Sequence, residues 1–374
     1  MQKTYKYRLY PSKNQVNLFN NILQICKKLY NSQIEYERYI YAKEKRFANT
    51  LELNNLLPDL KITNPEFKEV YAQVLQNVND RITKAFKKFF GRVQKGEKAG
   101  YPRFKSICHS FTYPQLGFKL TNKLKLGKIG EIPIKFHREI KGKIKTLTIL
   151  KTNTNKWFAC FCVEQDIKPK KRGNKSIGVD LGISNFATLT NNQTIENPKH
   201  LKNLLNKLKQ VSKQFSKKQK GSKNKNKARL RLAKLYERIH NQRLDFLHKT
   251  TRNLVNNYDC IALEDLKPSK MKNKYLQLSI NDASWYKFRQ LLSYKAEEAG
   301  VRLEFVNPRN TSQRCSKCKK IVKKKLSERI HICPYCNLSI DRDLNASINI
   351  LNKSSFISQI PLGQGESTSE KLFQ

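Results

Sequence analysis

Acidic side chains are scarce in this sequence: 29 Asp and Glu face 75 Lys and Arg, a formal charge of +46 over 374 residues. So large an excess resists compaction unless a polyanion neutralises it. Nucleic acid is the expected partner, because each phosphate contact releases a counterion and adds affinity. Long apolar runs are missing as well. None approaches the ~20 residues needed to cross a bilayer, and no secretory segment is recognisable, so a membrane is not an expected partner. Histidine is sparse, with six residues and no H-x-H pair. Aromatics are not lacking: 16 Tyr and 19 Phe supply a core that a disordered basic tail would not have. Nine cysteines without a secretory context fit a reducing compartment. Five of them, Cys26, Cys108, Cys160, Cys162 and Cys260, read as small buried hydrophobes. The expected address is the cytoplasm, beside the nucleoid in a prokaryote.

The other four cysteines carry the sharpest local signal. Cys315 and Cys318 form one C-x-x-C, Cys333 and Cys336 a second. Each pair holds a metal from a tight turn, and two facing knuckles complete the tetrahedral thiolate site that Zn²⁺ prefers. Redox or disulfide pairs are the competing reading, disfavoured by the lysines around both. With all four positions taken by protein, one structural zinc is expected. His331, beside Cys333, reads as a surface residue. Three carboxylates stand out against their surroundings. Asp180 interrupts the apolar strand SIGVDLGIS, and Glu264 ends CIALE where an apolar residue belongs; a carboxylate there is costly unless paired or metal-bound. Asp343 opens a short amphipathic helix, with Asp341 as the rival third acid; Asp343 is preferred because small Asn345 and Ala346 follow it. Acids so placed suit a two-metal phosphodiester-cleaving site, in which oxygen ligands hold hard Mg²⁺ ions.

In chain order, MQKTYKYRLY alternates as a strand, and from Lys13 the apolar residues turn to helical spacing as far as about Phe90, with breaks near Leu57-Pro58 and Asn64-Pro65. Gly91 to Lys105 is a basic loop in which Arg103 and Lys105 are candidate phosphate contacts. Ser110 to Glu164 reads as strands able to close a small barrel with the first one. Pro169 to Gly173 is a polar linker and the expected domain boundary. Residues 199–243 hold sixteen Lys/Arg against one acid, Glu237. There two helices, one lined by Leu201, Leu204, Leu205, Leu208, Val211 and Phe215, the other by Leu230, Ala233, Leu235, Tyr236 and Ile239, flank a lysine-rich turn. That hairpin is far more cationic than solubility requires. It is expected to grip nucleic acid through Lys217, Lys218, Lys220, Lys227, Arg229 and Arg243. A helix is expected from about Ser284 to Ala299, with Gly300 ending it, and the tail from Lys353 is expected to be disordered.

Taken together, GVDLGISNFA, NQRLDFLHK, LEDLKPSKM, SINDASW, TSQRCSKC, CPYC and DRDLNASINI resemble the TnpB family of transposon-associated proteins, relatives of the type V CRISPR effectors. Upstream, YRLYPSKNQ and KAFKKFFGRVQKGEKAGYPRFK extend the resemblance over nearly the whole chain. It implies an α+β multidomain protein. An RNase H-like (RuvC) α/β nuclease domain would occupy 173–310 and 341–352, with the basic hairpin at 199–247 and a zinc ribbon inserted at 311–340. An N-terminal wedge β-barrel at 1–10 and 91–172 would carry a helical recognition insert at 11–90, leaving 353–374 as a tail. Asp180, Glu264 and Asp343 would hold two Mg²⁺ ions, and Cys315, Cys318, Cys333 and Cys336 the zinc. The implied activity is RNA-guided cleavage of double-stranded DNA, with a guide noncoding RNA reading the target by base pairing and a monomeric protein in the ribonucleoprotein. Matching positions for reading a transposon-adjacent motif are Gln73, Gln76, Thr112 and Tyr113. Two positions depart from the family pattern: Lys319 where glycine is common, and Ser347 where alanine is usual. The alternative is a catalytically inactive RNA-guided DNA-binding repressor, which should lack one of the acids. A strand-transferring transposase would need a tyrosine nucleophile with a histidine pair, or a different acidic triad, and neither stands out.

Overall fold

The computed structural model describes residues 1–166, 173–266, 277–325 and 328–356. All but Gly173 of the linker expected at Pro169 to Gly173, and most of the expected tail, lie outside those residues. Two compact units divide the chain, Met1–Ile167 and Lys168–Gln374.

In the first unit, strand β1 (Gln2–Leu9) leads into helix α1 (Lys13–Glu44) through a capping box: Ser12 Oγ accepts from Gln15 N, and Gln15 Oε1 accepts from Ser12 N at 3.0 Å. Helices α2 (Thr50–Asn55), α3 (Leu57–Thr63) and α4 (Ala72–Gln94) follow, the last running a turn past the expected limit. The remaining strands are β2 (Ser110–Tyr113), β3 (Phe118–Leu120), β4 (Lys123–Leu126), β5 (Gly130–Lys135), β6 (Lys143–Lys151) and β7 (Trp157–Glu164). They form a seven-stranded sheet in the order β2-β6-β7-β1-β5-β4-β3, so β1 does sit amid strands from much later in the chain. Its Tyr5, Tyr7 and Leu9 alternate inward. The barrel does not close by hydrogen bonding: among the described residues no ladder joins edge strands β2 and β3. Tyr113 spans that seam instead, its hydroxyl donating to the Gly127 carbonyl at 3.3 Å and its ring lying against Tyr71 and Phe118.

The second unit is built on β8 (Ser176–Leu181), β9 (Asn185–Leu189), β10 (Thr194–Glu196), helices α5 (His200–Ser216) and α6 (Lys223–Asn257), β11 (Cys260–Glu264), α7 (Gln277–Ala283), α8 (Trp285–Ala299) and β12 (Arg302–Val306). A short hairpin, β13 (Ile330–Ile332) with β14 (Ser339–Asp341), then delivers the chain into α9 (Arg342–Lys353). The five-stranded sheet runs β10-β9-β8-β11-β12, with β8, β11 and β12 parallel and β9 and β10 antiparallel to their neighbours. Period-2 alternation sorts its two faces. Ile177, Val179, Leu181, Ile261 and Leu263 pack with α6 and α8. Cys260 and Ala262 point the other way, toward Ile350 and Leu351 of α9.

Helices α5 and α6 form the expected hairpin, with a turn at Lys217 to Ser222. Leu235 and Ile239 are buried, Leu230 and Ala233 half-buried, but Tyr236 is 51% exposed and does not belong to the apolar face. Asp282 of α7 ties the hairpin down. Its carboxylate accepts from the backbone of Leu201 and Lys202 at the start of α5 and from Arg243 of α6 at 2.7 and 2.9 Å.

Lys295 of α8 is turned inward, where sequence spacing placed only apolar residues. Its ammonium donates to the His248 carbonyl and the Thr251 hydroxyl, both at 2.7 Å, and burial brings it down to about 8. The unfolded chain keeps that proton up to the ordinary value of 10.5, so this lysine destabilises the fold below pH 8, and less and less as pH rises from 8 toward 10.5. Lys295→Met is expected to raise the melting temperature at pH 7, an effect of about 1–3 kcal/mol. Thermal unfolding at pH 7 and pH 10 should show that advantage shrinking at the higher pH.

The remaining differences from expectation are local. Cys108, Cys160 and Cys162 are half-buried rather than buried. Lys353 to Phe356 is packed, with Lys353 donating to the carbonyl of Asn307 at 3.1 Å and Phe356 buried. His331 is fully buried, because Ile330 and Ile332 take the outer face of β13.

A candidate acid centre and a four-cysteine site

Asp180 and Glu264 come together through strand register. Parallel strands β8 and β11 pair Val179 with Leu263, so the next residue on each, Asp180 and Glu264, projects on the face that α9 covers. Asp343 lies in the first turn of α9, near enough for its charge to act on Asp180. Asp341 is the helix N-cap, its Oδ1 accepting from Asp343 N and Leu344 N at 2.9 Å. Asp341 is exposed, whereas Asp343 is half-buried.

The close approach of α9 depends on one glycine. A Cβ on Gly178 would stand 2.2 Å from the Ser347 carbonyl oxygen and 2.9 Å from Leu351 Cβ, so only glycine fits under the helix. Ser347, where the family pattern has alanine, is fully buried with its hydroxyl bonded to the Leu344 carbonyl at 2.8 Å.

The neighbouring acids act on Asp180. Burial, then the charges of Glu264, Asp343 and Asp341, push the Asp180 carboxyl well above its ordinary range, and Arg342 opposes them. Glu264 is raised by burial too, against a hydrogen bond from Thr311 and the Lys353 ammonium. Asp343 is held by guanidinium groups: Arg342 donates to Oδ1 at 3.0 and 3.1 Å, and Arg329 stands 3.8 Å from Oδ2. A carboxyl raised by the charges of its neighbours, beside a second that is buried, is the start of a donor set suited to hard divalent cations.

Among the described residues, the four cysteines are the one group of three or more metal-ligating side chains whose donor atoms all lie within 4.8 Å of one another. Cys315 and Cys336 are 3.6 Å apart at sulfur, Cys318 and Cys333 3.5 Å. The edge of a tetrahedron with ~2.3 Å Zn–S bonds is ~3.8 Å, so the cage matches zinc. No cysteine is in a disulfide. Burial pushes the Cys333 thiol up, but backbone N–H groups and the Cys318 and Cys336 thiols outweigh it and bring it down to about 7. Each knuckle closes on a left-handed residue, Lys319 at φ 64° and Asn337 at φ 53°, which is the backbone reason glycine is common at the first of these positions.

The candidate nucleic-acid contacts divide. Lys217, Lys218, Lys220, Lys227, Arg229, Arg103 and Gln76 are exposed. Gln73 is half-buried and accepts from the Leu116 backbone. Thr112 and Tyr113 are buried, the first bonded to Arg81 and Thr148, so neither presents its side chain to a ligand. Arg243 is committed to Asp282, and Lys105 sits 3.5 Å from the centre of the Tyr30 ring.

Family descriptions match three parts of the chain: "Probable transposase" over residues 160–274, "Cas12f1-like, TNB domain" over 285–350 and "Helix-turn-helix domain" over 1–46. The last segment contains β1 and the single long helix α1 rather than a helix pair. A "Putative RNA-guided DNA endonuclease" of Streptomyces pristinaespiralis is 30% identical over 363 residues, covering 94% of this chain and 89% of its own. "Putative RNA-guided DNA endonuclease InsQ" of Escherichia coli is 27% identical over 374 residues, covering 93% and 91%. The fold aligns with a protein chain from a cryo-EM structure of a Cas12f1–sgRNA–target DNA complex at TM-score 0.63 and 15% identity, over 94% of this chain and 99% of that one.

Proposed function

The chain belongs to the TnpB family, and on that premise we propose that it is a transposon-encoded RNA-guided endonuclease that cleaves double-stranded DNA. The observation that carries the catalytic part is the placing of Asp180 and Glu264 side by side on adjacent parallel strands, with Asp343 on the helix that covers them. The sheet order, with three parallel strands and two antiparallel ones on one side, supports reading this unit as an RNase H-like domain. Asp180, Glu264 and Asp343 would hold two Mg²⁺ ions, which when bound supply the charge that activates the attacking water and stabilises the leaving oxygen. The four cysteines would hold a structural zinc that folds the ribbon on which α9 begins.

In the second unit the exposed lysines of the α5–α6 turn, and in the first exposed Arg103 and Gln76, are the residues through which guide RNA and target DNA would be gripped. The inactive-repressor reading is disfavoured because all three acids are present, two on adjacent strands and the third on the helix that packs on that sheet. Purified from cells expressing its own locus, the protein is expected to carry one defined transcript from the 3′ flank of its gene. Sequencing the co-purified RNA checks this; a random population would leave only a generic cationic binder.

A further inference from the structure

A buried polar seam runs from the acid centre to the cysteine site. Thr311 is 3% exposed, and its hydroxyl bonds both Glu264 Oε1 and, at 3.0 Å, the Pro308 carbonyl. The Thr311 carbonyl accepts from Asn349 Nδ2 at 2.9 Å, and the same amide nitrogen reaches the Arg314 carbonyl at 2.6 Å. Asn345, one turn earlier on α9 and fully buried, donates to that Arg314 carbonyl at 2.8 Å. Its Oδ1 accepts from the backbone of Ser316 at 2.9 Å, inside the first cysteine knuckle between Cys315 and Cys318. Apart from the Thr311–Glu264 contact, which joins two side chains, each step joins a side chain to backbone, and a buried network of this kind is stiff. Two of its members sit on the helix whose first turn carries Asp343. The asparagine pair reaches Glu264 through Thr311, whose carbonyl accepts from Asn349 and whose hydroxyl bonds the carboxylate.

We propose that Thr311, Asn345 and Asn349 are positioning residues for the nuclease site, through which the folded cysteine knuckle fixes where Glu264 and Asp343 stand. The inference rests on the assignment of the three acids as that site. When the knuckle forms, Ser316 N and the Arg314 carbonyl are set in place, α9 is registered through Asn345 and Asn349, and Thr311 orients the Glu264 carboxylate. None of the three touches a reacting atom.

The test uses the full-length protein with its co-purified RNA, carrying Thr311→Val, Thr311→Ser or Asp180→Ala. Zinc content, retained RNA, Mn²⁺ affinity by water-proton relaxation and the Mg²⁺ dependence of DNA cleavage are measured. Thr311→Val, which keeps the shape and removes the hydroxyl, should retain zinc and RNA yet lose about 10–100-fold in Mn²⁺ affinity and cleavage rate. Thr311→Ser should restore both. Independently, releasing zinc from the wild-type protein with a thiol-modifying mercurial should weaken Mn²⁺ binding in step with the zinc lost, a readout that stands even if Thr311→Val misfolds. Wild-type Mn²⁺ affinity in Thr311→Val, no rescue by serine, or undiminished Mn²⁺ binding after zinc release would each overturn the proposal. If Asp180→Ala cleaves and binds Mn²⁺ like wild type, the nuclease-site assignment itself fails; if it is dead while Thr311→Val is normal, only the seam fails.

Discussion

Asp180→Ala is expected to lower DNA cleavage by about 10³-fold or more while the guide RNA stays bound. The magnitude follows from the several kcal/mol of transition-state stabilisation that a metal pair supplies and that a site without this carboxylate loses. Asp180 is the right residue to remove because its carboxyl is the one on which Glu264, Asp343 and Asp341 all act. RNA retention should be unaffected, since the exposed lysines of the α5–α6 turn lie on other elements. Cleavage of a matched plasmid, measured alongside co-purified RNA, decides the matter. Persistent cutting would remove Asp180 from the chemistry, and loss of RNA together with cutting would point to a folding defect.

The second large effect is expected at a residue with no side chain. Gly178→Ala puts a methyl group where the Ser347 carbonyl oxygen now stands 2.2 Å away, and backbone cannot turn aside as a flexible side chain would. Overpacking of this kind costs about 1–3 kcal/mol. Relief requires α9 to lift from β8, carrying Asp343 away from Asp180. A displacement of about 1 Å in a catalytic constellation lowers the rate ~100-fold. Thermal unfolding and single-turnover cleavage measured on the same preparation should both fall. A variant that melts lower but cleaves normally would show that the distance of α9 from the sheet does not govern the acids.

What was legible in the sequence was whatever a residue announces against its own neighbours. Two C-x-x-C pairs need no fold to be recognised, and a carboxylate among valines and leucines marks Asp180 as surely in the chain as on β8. The seven-stranded sheet was legible only in part. Alternation in MQKTYKYRLY shows a strand, but nothing local says that β1 pairs with β7 on one side and β5 on the other, or that Tyr113 would bridge two edges left unpaired. Burial of Thr112 and Tyr113, of His331 and of Lys295 was illegible for the same reason: each depends on a partner from a distant segment. Arg243 looked like one more cation in a basic run until Asp282, on a helix that periodicity did not reveal, accepted from two of its guanidinium nitrogens. The Thr311, Asn345 and Asn349 seam had a faint local sign, since two asparagines four residues apart on an otherwise apolar helix face are out of place there.

Asp180 enters the ribosome's exit tunnel long before Asp343 is translated, and α9, which holds Asp343, is the last helix among the described residues. Until α9 is made, a nascent chain therefore carries at most Asp180 and Glu264 of the three acids proposed to form the site. A chain ended upstream of the cysteine knuckles would lack Asp343, and under the proposed assignment it is expected not to cleave DNA.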